Sequence, residues 1–216
     1  MPKTHDTSST AGSRCRLLTD MGDNYAALGN AGRAADCYRQ SLAAAAGNPT
    51  PHVRLGTLAL QDDRVADAMR SFAAAIELDA DCAEAYGGLA MVYQRQGRLS
   101  SAFEMYLACL ERDTDNLAAL LGLFQTSCRM GSFGKIIHFL ELYLDRHPDD
   151  ASVLFCLASL YVREGRASDA RETLQRALAL EPDKPEAAEL LAEVERRLAA
   201  TPPTAGPATE LRLTGV

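Results

Sequence analysis

Residues 83–116 read AEAYGGLAMVYQRQGRLSSAFEMYLACLERDTDN. Tyr86, Leu89, Ala90 and Tyr93 recur at intervals of three and four, which places them on one face of a helix. Ala102, Tyr106 and Cys109 repeat that spacing further along. Between the two runs stands Gly97-Arg98, and glycine takes without strain the left-handed conformation that ends a helix. The stretch therefore reads as two amphipathic helices joined by a tight turn. Each helix is roughly 20 Å long. One such hairpin cannot bury its own apolar faces and must stack on neighbours.

The neighbours lie in the same chain. Gly-Arg returns at Gly165-Arg166, with Gly131-Ser132 midway, and the same step backward reaches Asp63 and Gly29. The sequence then divides into five units of 34 residues: 15–48, 49–82, 83–116, 117–150 and 151–184. Their seventh positions are Met21, Leu55, Leu89, Leu123 and Leu157. Their eighth are Gly22, Gly56, Ala90, Phe124 and Ala158. Tyr25, Tyr93 and Tyr161 fill the eleventh position of the odd units. The twentieth is Ala34, Ala68, Ala102, Ile136 and Ala170, and the twenty-fourth Tyr38, Phe72, Tyr106, Leu140 and Leu174. Small residues at fixed sites let paired helices approach closely. Asp63 replaces glycine in the second turn. It tolerates the left-handed conformation less well, so a looser turn is expected there.

This pattern resembles the tetratricopeptide repeat (TPR) family: large-xx-large-small-xx-aromatic in one helix, small-xxx-aromatic-xx-small in the next. The resemblance covers residues 15–184. It implies an all-α, right-handed α-solenoid of helical hairpins. Residues 185–199 form a further amphipathic helix, with Leu190, Leu191, Val194 and Leu198 on one side and charges on the other. They are read as a C-terminal capping helix. Residues 1–14 and 200–216 are expected to be flexible.

Composition excludes several classes of function. The 216 residues carry 22 Lys plus Arg against 29 Asp plus Glu, a net charge of −7. That balance argues against a nucleic-acid binder. No apolar run approaches a membrane span, and the first residues lack a signal-peptide core. The chain reads as soluble and cytoplasmic, without membrane insertion. Six cysteines, at 15, 37, 82, 109, 128 and 156, show no zinc spacing. The four histidines form no metal motif, so no metal or cofactor is expected. Gly-x-Ser-x-Gly, Walker A and GxGxxG motifs are absent, and the chain is read as non-catalytic.

The resemblance further implies a concave groove lined by the first helix of each unit. Its candidate residues here are Arg54, Met91, Arg95, Leu121, Gln125, Arg129, Phe155, Ser159 and Arg163. Thr19, Val53, Thr57, Gly87, Gly88 and Gly122 belong to the same strip. The three glycines either keep the groove open for a ligand or relieve crowding between hairpins. Such a strip suits an extended peptide or an amphipathic helix. The basic and Asn positions that clamp the acidic tails of heat-shock chaperones in one TPR subtype are not matched: Thr19, Asp23, Arg54, Glu84 and Gly88 stand there.

Arg95, Arg129 and Arg163 share the thirteenth position. None has an acidic residue three or four places away, so no local partner neutralises the row. It reads either as a strip for an acidic or C-terminal peptide, or as basic residues suited to helix C-termini.

The fourth unit breaks the pattern. Phe124, Ile136 and Tyr143 occupy its small positions, and a splayed or shifted hairpin is expected. Phe139 and Leu142 stand where other units are more polar. Either they turn inward or they form a second interface.

These readings converge on a protein–protein interaction scaffold or adaptor that holds a partner's peptide or helix in its groove. Two alternatives stand beside it: a cytoplasmic chaperone for an exported or secreted protein, and a self-assembling scaffold, hence a homo-oligomer.

Overall fold

The computed structural model describes residues 7–200. Among them are eleven helices and no strand: α1 (Thr7–Ala27), α2 (Ala31–Ala44), α3 (Thr50–Gln61), α4 (Val65–Leu78), α5 (Ala83–Arg95), α6 (Leu99–Arg112), α7 (Leu117–Met130), α8 (Gly134–Arg146), α9 (Ala151–Arg163), α10 (Ala167–Leu180) and α11 (Pro185–Ala200). No helix among the described residues is long and apolar enough to cross a membrane.

The turns fall where the glycine step puts them. Gly29, Gly97, Gly131 and Gly165 all have φ near +70°. Asp63 joins them at φ 58°, and its turn is no looser than the rest. The Arg64 amide donates to the Ala59 carbonyl at 2.7 Å, as Arg98 does to Tyr93 at 2.9 Å. The Asp63 carboxylate meets Arg95 at 3.1 Å, an ion pair that a glycine could not make. Helix starts are capped where the sequence supplies an acceptor. Asn116 accepts from the Ala119 amide, and Asp150 from Ser152 and Val153.

One boundary departs from the expectation. Residues 7–14, expected to lack regular structure, are helical and form the first turns of α1. Extending an existing helix costs far less than nucleating one, so a polar run with no packing periodicity still continues the helix that Cys15 anchors. Residues 1–6 and 201–216 lie outside the described residues.

The chain divides into two compact units, Met1–Phe139 and Leu140–Val216, with the boundary inside α8. That helix is the one whose sequence departs from the repeat. In the first unit the hairpins α1–α2, α3–α4 and α5–α6 follow one another, with α7 against α6. Each second helix also packs on the first helix of the next hairpin. Ala34, Ala68 and Ala102 are fully buried at the crossings, and Tyr38, Phe72 and Tyr106 fill the spaces beside them. In the second unit α9 and α10 pair, and α11 packs mainly on α10. There Ala170, Leu174 and Ala177 are buried.

Candidate protein-binding groove

The groove of the first unit begins with how its rings are seated. A β-carbon built on Gly56 would stand 2.8 Å from the Phe72 ring, and one on Gly88 only 2.3 Å. Phe72 is thus held between a glycine of its own hairpin and a glycine of the next. Tyr106 meets Gly122 in the same way, at 2.2 Å. Of the two readings of these glycines, relief of crowding describes Gly88 and Gly122. Gly87 differs: its nearest neighbour would be Cys109 Sγ at 3.4 Å, an ordinary contact.

Beside Gly87 lies a cavity of about 300 Å³. Val53, Thr57 and Leu60 from α3, Met91 from α5 and Ala118 and Ala119 from α7 line it. Phe72 and Tyr106 lie at its floor. Arg54, Glu84, Arg95 and Asn116 supply its polar lining. Met91 is 47% exposed, an apolar side chain held at the surface by rigid helices.

The charges at the rim neutralise one another. Arg54 Nε lies 3.2 Å from Asp23 and its Nη1 3.2 Å from Glu84, so one guanidinium ties α1, α3 and α5 together. Asp23 also accepts from the Tyr38 hydroxyl at 2.7 Å. Burial, with that bond to a carboxylate, pushes the Tyr38 phenol well above its usual range. Arg95 donates to the Leu60 carbonyl at 2.8 Å and to Asp63 at 3.1 Å. The row therefore does not lack partners at Arg95. Its partner Asp63 lies one repeat earlier, well beyond its neighbours three or four residues away on the same helix.

The other candidates are placed elsewhere. Leu121 is 51% exposed on α7. Gln125 accepts from Gln94 Nε2, and Gln94 Oε1 accepts from the Tyr106 hydroxyl at 2.6 Å. Arg129 is exposed near the end of α7. Phe155, Ser159 and Arg163 belong to α9 in the second unit. There Lys184 Nζ stands 5.5 Å over the Phe155 ring and the Ser159 hydroxyl donates to the Phe155 carbonyl. Arg163 is exposed at the helix end. Phe139 and Leu142 are each half-buried. Thr19 is buried, bonded to Ser41 and the Cys15 carbonyl, and leaves the groove strip.

One recurring contact went unread in the sequence. The arginine of each Gly-Arg lies over the tyrosine five residues earlier: Arg98 over Tyr93 at 4.5 Å, Arg166 over Tyr161 at 4.1 Å. Tyr161 also donates to Glu141 at 2.5 Å. The signal was present as a Tyr-x4-Arg recurrence across the turn. Among the described residues no group of three or more His, Cys, Asp or Glu is placed to hold a metal ion.

Models of the tetratricopeptide repeat match residues 53–116 and 129–194, together more than half of the chain. The chain belongs to the tetratricopeptide repeat family. Its all-α solenoid class is shared with solved TPR structures. Pseudomonas aeruginosa PilF is 16% identical with a TM-score of 0.70, covering 88% of this chain and 86% of that one. MamA is 22% identical with a TM-score of 0.61, over 76% and 96%. YrrB, described as a TPR protein with an unusual peptide-binding site, is 14% identical with a TM-score of 0.59, over 83% and 90%. These likenesses are of fold. No curated protein matches the sequence.

Proposed function

We propose that this TPR protein is a non-catalytic, cytoplasmic interaction scaffold that holds a partner's peptide in the groove of its first unit. The cavity between α3, α5 and α7 carries this reading. It is apolar at its floor, rimmed by paired charges, and of a volume suited to one large side chain. An apolar anchor entering beside Gly87 and Met91 would be desolvated by the helices around it, the arrangement from which binding hot spots draw their energy. YrrB's peptide-binding site supports peptide binding on such a scaffold. The pairing of Arg54 and Arg95 favours an apolar anchor over an acidic or C-terminal motif as the main determinant. Arg129, exposed at the end of α7 in the same unit, is the residue an acidic flank would meet.

Gly87→Leu tests the proposal, because Gly87 lines the cavity and a β-carbon there meets only Cys109 Sγ, at 3.4 Å. Selection of a displayed peptide library on the wild-type protein is expected to enrich sequences with one large apolar residue. Gly87→Leu, equally helical by circular dichroism, is expected to weaken those peptides at least about tenfold, or 1.4 kcal/mol. Equal binding to both proteins would place the site elsewhere.

A further inference from the structure

Among the described residues, the stacking of the hairpins in the first unit leaves one helix face uncovered. In the first unit the third, seventh and tenth positions of a hairpin's first helix face the hairpin before it. Ala85, Leu89 and Val92 of α5 are buried, as are Ala119, Leu123 and Thr126 of α7. The α5 trio shares a core cluster with Phe72, Ala68 and Ala75 of α4, so the cover over this face is the preceding hairpin's second helix. On α1 the same positions are Leu17, Met21 and Asn24. Leu17 is 61% exposed and Met21 41%, and Leu28, in the turn that follows α1, is 80% exposed. Asn24 is exposed as well. Elsewhere in the first unit a face of this kind is covered by a helix, and here two of its three residues are large and apolar.

We infer that this α1 face is a docking surface for a second copy of the chain, two α1 helices packing about a two-fold axis. Charge supports that choice of occupant. Arg14 and Arg16 balance Asp20 and Asp23, so α1 is neutral across this region in a chain of net charge −7. Two copies can approach through it without like-charge repulsion. The other terminal helix, α11, exposes Glu186, Glu189, Arg196 and Arg197. Seating α11 on Leu17 and Met21 would desolvate those charges, which disfavours head-to-tail growth. A two-fold pairing of α1 with α1 is closed and stops at a dimer. Dimerisation of this kind depends on protein concentration.

Analytical ultracentrifugation of the full chain over about a hundredfold range of concentration reads this directly. The expected result is a monomer–dimer equilibrium with nothing larger. Leu17→Glu with Met21→Glu is expected to weaken dimerisation at least about tenfold while leaving helicity unchanged, since both side chains are exposed. Should the double variant lose helicity, Leu28→Lys is read in the same way. Leu180→Glu, at an exposed apolar residue on α10, is expected to dimerise as wild type does. A monomer at every concentration overturns the inference. So does assembly beyond a dimer, a dimer unaffected by a folded α1 variant, or one abolished by Leu180→Glu.

Discussion

At the residue scale two adjacent glycines do different work. Gly88 has no room for a methyl group, since Phe72 occupies the space. Gly88→Ala is expected to cost about 1–3 kcal/mol through overpacking. Gly87→Ala meets only an ordinary contact and gains helix propensity, so it is expected to be neutral or to stabilise by up to about 1 kcal/mol. Urea denaturation of the two variants checks both signs. Tyr106 offers a second test. Burial pushes its phenol up to about 12, against about 10 in an unfolded chain. The folded state thus keeps its proton after the unfolded state has lost it. The stability tied to that group is complete below pH 10 and falls as pH rises from 10 to 12, by about 1 kcal/mol at pH 11. Tyr106→Phe is expected to flatten that part of the Tm–pH curve. An unchanged slope would contradict the assignment.

At the scale of the element, the 34-residue step located the turns because backbone conformation is local: only glycine enters the left-handed region freely. Asp63 shows where local reasoning falls short. Its backbone strain was legible, but the ion pair with Arg95 was not, since that contact joins hairpins 32 residues apart in sequence. The same limit hid the Asp23–Arg54–Glu84 bridge, whose members look like unrelated charges along the chain. Asp63→Gly separates the two effects. Relief of the strained φ is worth about 1–2 kcal/mol, while an exposed ion pair contributes at most about 1 kcal/mol. The expected result is a stabilised or unchanged protein in a thermal melt. A clear loss of stability would mean that the Arg95 contact dominates. The extension of α1 back to Thr7 was not legible in the sequence, because propagation of a helix leaves no periodic mark in a polar run.

At the scale of the whole molecule, the periodic small and aromatic residues made the TPR class readable from sequence. The groove was only partly readable. Met91, Arg54 and Arg95 line the cavity, and the two arginines are already paired. Leu121, Gln125 and Arg129 lie outside it. Phe155, Ser159 and Arg163 belong to the other compact unit. The division inside α8 falls in the unit whose small positions hold Phe124, Ile136 and Tyr143. The central claim is that a partner's apolar side chain enters between α3, α5 and α7. Amide chemical shifts of the full chain, recorded with and without a selected peptide, test it most directly. The prediction is that shifts concentrate in α5 from Gly87 to Arg95 and in the facing turns of α3 and α7. Shifts confined to α9–α11, with α5 unmoved, would contradict it.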